Sequence, residues 1–142
     1  MICYAIIDTN VLVSALLSSH EDAATVQVLR TMFAGDIVPV YSDEILAEYN
    51  EVLRRRKFHF SESLIINLIE TITQFGLCLT PTSSGEVIPD MKDLPFYEVV
   101  MEMHNQDDAY LVTGNIKHFP ERPYIVTARQ FLEILNKKSK ND

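Results

Sequence analysis

Short runs of apolar and β-branched residues alternate along this chain with stretches of helical periodicity, and that alternation restricts the possible folds more than any other feature. Residues 2–8, containing Tyr4-Ala5-Ile6-Ile7, read as a first strand. Residues 10–17 and 23–34 then carry apolar positions at helical spacing, closed by Gly35-Asp36. Residues 37–41 read as a short strand that Pro39 puts at or near a sheet edge. Ser42 is placed to cap a helix running to about Arg55, with Asp43 and Glu44 in its first turn, where the helix dipole favours acids. A further helix is expected from Ser61 to Phe75, ended by Gly76, then a short strand at residues 77–79 and a loop over residues 80–90. Pro95 opens a helix to about Asn105. Residues 109–113 and 124–126 read as strands, followed by a last helix over residues 128–136. Strands that alternate with helices predict an α/β fold, a mostly parallel sheet covered on both faces through right-handed crossovers. The pattern is expected to make one domain over residues 1–136, with a basic polar tail at residues 137–142.

Composition narrows the functional classes. The 142 residues are 47% hydrophobic, enough for a sizeable core. No apolar run reaches the roughly 18 residues of a membrane span, and no basic segment precedes the first apolar stretch. A cytoplasmic protein with no membrane association is expected. Cys3 and Cys78 lie far apart in apolar runs and are expected to be buried thiols. A net charge of −8 argues against passive binding to nucleic acid, which needs a positive surface. Arg54, Arg55, Arg56 and Lys57 nevertheless form one basic block. Such a block fits a nucleic-acid backbone if bound cations neutralise the carboxylates, and it fits a solvated helix end equally well.

Asp8 ends the first strand, and ligands in open α/β sheets bind beyond the carboxyl ends of strands. Its ordinary alternative is to cap the next helix, although Thr9 and Asn10 cap equally well. In the Ser42 helix, Ile45, Leu46, Tyr49, Val52 and Leu53 define an apolar stripe with Glu48 on its edge. A carboxylate there is costly unless it binds a cation or pairs, here with Arg55 or Arg56. Asp93 stands before the Pro95 helix, where capping competes with function, and Asp90 reads as a loop residue. Asn115 follows the strand at residues 109–113, positioned either to offer an amide oxygen or to occupy a turn. Asp8, Glu48, Asp93 and Asn115 offer oxygen only, the donor set of a hard divalent cation such as Mg²⁺. No Cys or His spacing suggests zinc. His104 and His118 are assigned packing or surface roles, and His20 and His59 are taken as exposed.

Four segments carry a family resemblance: Ile6-Ile-Asp-Thr-Asn-Val-Leu-Val-Ser-Ala15, Ser42-Asp-Glu-Ile-Leu-Ala-Glu-Tyr49, Asp90-Met-Lys-Asp-Leu-Pro-Phe96 and Tyr110-Leu-Val-Thr-Gly-Asn-Ile-Lys-His-Phe-Pro120. In this order and spacing they resemble a PIN domain, and most nearly the PIN-family toxins of prokaryotic toxin–antitoxin systems. The likeness extends from about Ile2 to Leu135.

The resemblance implies a three-layer α/β/α sandwich and a ribonuclease dependent on Mg²⁺ or Mn²⁺. It implies Asp8, Glu48 and Asp93 as metal ligands, with Asp8 central and Glu48 acting through water or as a base. The family's usual fourth acid is replaced here by Asn115, which leaves three carboxylates, one firmly held ion, and Asn115 orienting water or metal. Asp107 and Asp108 are close in sequence but are expected at the opposite end of their strand. Thr9, Asn10 and Thr113 are expected to hydrogen-bond around the site, and Arg54 to Lys57 to guide RNA. A cognate antitoxin and a homodimer are implied on the same basis. Two rivals remain: a catalytically weak or inactive domain that binds RNA or an antitoxin, and a phosphate-transfer domain, for which a second acid close to Asp8 is missing.

Overall fold

The computed structural model describes residues 2–141. Among these residues, five strands form one parallel sheet: β1 (Tyr4–Ile7), β2 (Val38–Tyr41), β3 (Leu77–Cys78), β4 (Ala109–Val112) and β5 (Ile125–Val126). Six helices connect and flank them: α1 (Thr9–Leu17), α2 (Ala24–Phe33), α3 (Asp43–Leu53), α4 (Glu62–Phe75), α5 (Leu94–His104) and α6 (Ala128–Asn141). The arrangement is the α/β sandwich expected from the alternation of elements.

Spatial order in the sheet is β3-β2-β1-β4-β5. The chain winds outward from β1 to β3, then crosses back to lay β4 on the other side of β1. The strand order therefore reverses between β1 and β4, and at such a point the carboxyl ends splay into a crevice. In register, Tyr4 stands beside Ala109 and Ile7 beside Val112, so Asp8 and Thr113 leave the sheet side by side.

Side-chain pattern explains why β1 is central. Ala5, Ile6 and Ile7 are buried, as are Ala109, Leu111 and Val112 on β4, so this pair has apolar cover on both faces. Helix α5 lies across β4, β1 and β2 and buries Phe96, Tyr97, Val99 and Val100. Helix α4 rests on β2 through Ile65, Leu68 and Ile72, and α6 packs on β4, β5 and α2. Pro39 sits one strand in from the edge, beside Ala5. The helix starts follow local chemistry: Ser42 accepts from Ile45 N–H at 3.2 Å, and Ser61 from Leu64 N–H at 3.1 Å.

Three expectations are corrected. Helix α3 stops at Leu53, and the basic block continues into a 3-10 turn at Arg56–Phe58 that His59 closes with φ of 56°. Cys3 is buried, but Cys78 is exposed, because β3 is a two-residue edge strand with both side chains accessible. Helix α6 continues beyond Asn136 to Asn141. No apolar residue marks that last stretch, but Lys138 pairs with Asp108, and Lys138 and Lys140 suit the negative end of the helix dipole.

Gly76, where α4 turns into β3, is a tight spot. A Cβ there would stand 2.6 Å from the Pro39 carbonyl oxygen and closer still to that of Ile72. Neither backbone atom can swing aside as a side chain does. Gly76→Ala is expected to cost roughly 1–3 kcal/mol, as overpacking does. Urea denaturation compared with wild type checks this, and an unchanged midpoint would contradict it.

Candidate metal centre

Asp8 stands at the carboxyl end of β1 and at the N-cap position of α1, yet its side chain makes no capping hydrogen bond. Its backbone N–H is bound by the Val112 carbonyl at 2.9 Å, which holds it against β4. Thr113 Oγ1 donates to Asp8 Oδ2 at 2.7 Å and itself accepts from Asn115 N–H at 3.0 Å. Both Asp8 and Thr113 are buried, with exposures of 3% and 0%. The Asp8 carboxylate is thus held mainly by Thr113 across the strand pair, with no completed cap on α1.

Helix α3 delivers Glu48. Ile45, Tyr49 and Leu53 are buried on its inner stripe, and Glu48 is half-buried on the border. Tyr49 is fully enclosed, and its hydroxyl donates to the Ile7 carbonyl, tying α3 to the residue before Asp8. Thr9 donates its hydroxyl to Glu48 Oε2. The alternative of an ion pair between Glu48 and Arg55 or Arg56 does not hold, since Arg55 is engaged by Glu51 at 3.0 Å. Arg56 makes no ion pair among the described residues.

Asp93 arrives from the 3-10 turn Met91–Asp93 that leads into α5. It occupies the N-cap position of α5, again with no capping bond, and its Oδ2 lies 3.1 Å from His118 Nδ1. Asp90 accepts from Lys92 N–H at 3.1 Å. Ligand atoms of Asp90, Asp93 and His118 all lie within 4.8 Å of one another.

The three acids lie near enough to feel one another's charge. Burial is the largest cause that pushes the Asp8 carboxyl up, to about 6, with repulsion from Asp93 and Glu48 adding to it. The Thr113 hydrogen bond opposes this, as does the Asn10 N–H, which faces the carboxyl without completing a cap. Glu48 is raised by burial and by Asp93 and Glu51, against the Thr9 hydrogen bond and a weaker pull from Arg55. Asp93 is raised by burial and by Asp90, against its contact with His118. Among the described residues neither Asp8 nor Glu48 is ion-paired. Buried carboxylates that repel one another and lack a cation are costly, and a hard divalent ion removes that cost. The donor set therefore fits a divalent metal.

The remaining expected residues are placed as follows. Asn10 Oδ1 faces the Gly114 N–H at 3.5 Å, so it lies beside the β4 exit. Asn115 is exposed, and its contact with the site runs through its backbone N–H to Thr113. Asp108 sits at the far end of β4, where its carbonyl accepts from Tyr4 N–H, so it does not replace the missing acid. In the basic block, Arg54 is held by Glu62 at 2.7 and 2.8 Å and Arg55 by Glu51, while Lys57 lies 5.1 Å from the Phe58 ring centre. His104 stacks on Tyr124 at 4.0 Å, the packing role expected of it. His118, expected in a packing or surface role, is partly exposed and also faces Asp93. It stands three residues beyond Asn115, in the turn after β4, and that position is the one sequence signal that puts it near the site.

The sequence matches the PIN domain family over residues 4–117. The chain belongs to the PIN domain family. This PIN domain therefore has a nuclease-type fold of a family that usually binds a divalent metal, and it carries an acidic cluster, Asp90, Asp93 and His118. The match takes in β1 to β4 and stops one residue before His118, leaving β5 and α6 outside it. Neither curated proteins nor solved structures offer a significant match. Among the described residues no helix is long and apolar enough to cross a membrane.

The Asp8 carboxyl binds its proton more tightly in the folded chain, near 6, than the ordinary 3.8. Between those values the native state holds more protons than the unfolded one, so its stability falls as pH rises through the window and is level above it. Asp8→Asn removes the charge and keeps an acceptor for Thr113. Without metal it is expected to be more stable than wild type at pH 7 by about 1–3 kcal/mol, and to lose less stability between pH 4 and pH 6. Thermal melts in chelator across that range check this, and a less stable variant at pH 7 would contradict it.

Proposed function

We propose that this PIN domain is a divalent-metal-dependent ribonuclease that hydrolyses RNA phosphodiesters, with Mg²⁺ or Mn²⁺ as its cofactor. The observation that carries the reading is that Asp8, Glu48 and Asp93, from three separate elements, lie close enough to raise one another's proton affinity, with no ion pair on Asp8 or Glu48 among the described residues. Asp8 and Asp93 would hold the ion directly. When bound, a divalent ion supplies a water of lowered pKa and neutralises charge that builds on the phosphate.

The chain's own groups do the rest. Thr113 holds Asp8 in one orientation through the 2.7 Å hydrogen bond, and its own hydroxyl is aimed by Asn115 N–H. Glu48, whose proton affinity is raised, is suited to take a proton from the attacking water, and Thr9 fixes the oxygen it presents. Arg56 and Lys57, the two members of the basic block without ion pairs among the described residues, are the ones free to attract an RNA backbone. The four motifs further support a toxin of a toxin–antitoxin module, acting in the cytoplasm, with a cognate antitoxin and a homodimeric assembly.

A second reading is favoured by Asn115. An amide where the family's motif usually carries an acid removes one negative charge from the centre, which suits a domain that binds RNA or an antitoxin and cuts weakly.

With Mn²⁺ and a mixture of structured and unstructured RNAs, wild type is expected to cleave and Asp8→Asn and Asp93→Asn to fall at least 100-fold. Full activity in either variant would show that the ligands are misassigned, and metal binding without any Asp8-dependent cleavage would favour the binding module. Asn115→Asp is expected to tighten divalent binding about tenfold by isothermal titration; unchanged affinity would show that this position does not serve the ion.

A further inference from the structure

Four consecutive cations follow helix α3, and their surroundings divide them into two pairs. Arg54 is held by Glu62 at 2.7 Å and Arg55 by Glu51 at 3.0 Å. Arg56 and Lys57 are exposed and make no ion pair among the described residues. Two aromatic rings come directly after them. Phe58 and Phe60 stack with ring centres 5.5 Å apart and planes inclined by 15°, and Lys57 Nζ lies 5.1 Å from the Phe58 centre. His59, with φ of 56°, closes the 3-10 turn between the two rings.

The rings have different surroundings. Phe60 packs against the hydrophobic core, which accounts for it as the anchor of the connection from α3 to α4. Phe58 is partly exposed and stands outside that packing. Closing the connection requires Phe60 and leaves the second ring unaccounted for. A ring held flat on another, beside two cations that no carboxylate neutralises, has the make-up of a platform for a nucleobase. There the π-face of a base meets the ring, and the phosphates on either side meet Arg and Lys. Lys57 is no obstacle, because an exposed cation–π contact is weaker than a base stacked on an aromatic ring, and the flexible lysine stem lets the ammonium swing to a phosphate.

Position on α3 relates this turn to the strand-end acids. The rise from Glu48 to Arg55 is about 10 Å along the helix axis, and the platform starts at the next residue. Arg55 still exerts a pull on Glu48, so the turn and the acids are near neighbours. With about 3.4 Å per nucleotide in a stacked strand, and more in an extended one, roughly two to four nucleotides cover the distance.

We propose that Phe58, backed by Phe60, binds one unpaired nucleobase of an RNA while Arg56 and Lys57 hold the adjoining phosphates, a few nucleotides from the bond addressed by the acids. In placing that bond the inference rests on the ribonuclease reading above. The ligand class is single-stranded RNA, or a loop or bulge whose base can splay out, since neighbours cover both faces of a base inside a duplex. Discrimination among the four bases is expected to be low, because each offers a π-face.

The chain contains no tryptophan, so Phe58→Trp creates a single fluorescent reporter at the platform. Titrated in chelator, where no cleavage occurs, its emission is expected to be quenched by a short single-stranded RNA and unchanged by an abasic strand of the same length. Anisotropy of a labelled RNA is expected to show binding by wild type and Phe58→Trp, and about tenfold weaker binding by Phe58→Leu, which keeps an apolar side chain without a ring. Arg56→Ala is expected to lower the slope of log affinity against log salt by about 0.7. Wild type is expected to bind the same RNA at least tenfold more weakly once it is annealed into a duplex. No quenching by the single strand, equal quenching by the abasic strand, undiminished affinity in Phe58→Leu, an unchanged salt slope in Arg56→Ala, or a duplex bound by wild type as tightly as the single strand would each overturn the proposal. The duplex comparison uses wild type alone and stands even if a variant fails to fold. In Mn²⁺, Phe58→Leu is expected to raise KM for single-stranded RNA with kcat nearly unchanged. Quenching without any cleavage by wild type would remove the nuclease centre and leave the base site standing, and cleavage without quenching would do the reverse.

Discussion

The molecule depends on the pairing of β1 with β4. These strands are about a hundred residues apart in sequence, and every feature of the crevice follows from their register. Val112 fixes the Asp8 backbone, and Thr113 fixes its carboxylate. The splay of connections on either side opens the space that Glu48 and Asp93 enter. Had β4 joined the sheet outside β3 instead, the same residues would form a sheet of the same size with no reversal of order and no crevice.

Around that pairing the protein concentrates charge where solvation is poorest. Asp8 is nearly inaccessible, and Glu48 and Asp93 press on it with like charge. The neutral groups nearby, Thr9 and Thr113, orient oxygens without cancelling charge. Nearby cations are engaged by other acids: Arg54 and Arg55 are tied to Glu62 and Glu51, Arg55 pulling on Glu48 only from a distance, and Lys138 to Asp108 at the other end of the sheet. A fold selected for stability alone would place one of them in the crevice. A buried acid such as Asp8 with no ion-pair partner among the described residues is itself a mark of a binding site.

Much of this was legible from residue order. Alternating strand and helix patterns are strong where apolar residues recur at fixed period, which is why β1, β4, α4 and α5 lie where the pattern put them. Glu48 was recoverable because Ile45, Tyr49 and Leu53 define the inner face of α3, leaving a glutamate on its border. Failures fell where tertiary context decides. Cys78 sits in an apolar run, yet an edge strand of two residues leaves it accessible. The end of α6 carries only polar residues, so its helix is held by an ion pair and a dipole that periodicity does not encode. His118 and Asp90 are separated by a helix and a strand, and only the closing of β4 against β1 brings their turns together.

Distance along the chain between Asp8 and Thr113 also sets the order in which the crevice comes into being. Chain growth from the N-terminus delivers β1, α3 and Glu48 early, but Asp93 and β4 much later. Until residues 109–113 leave the ribosome, Asp8 has no Thr113 to hold it and β1 lacks a neighbour on one side. Asp8 gains its Thr113 partner only once β4 pairs with β1, so a chain truncated before residue 109 carries Asp8, Glu48 and Asp93 without the contact that orients Asp8. The topology thus acts as an assembly checkpoint, requiring nearly the full sheet before Asp8 is oriented.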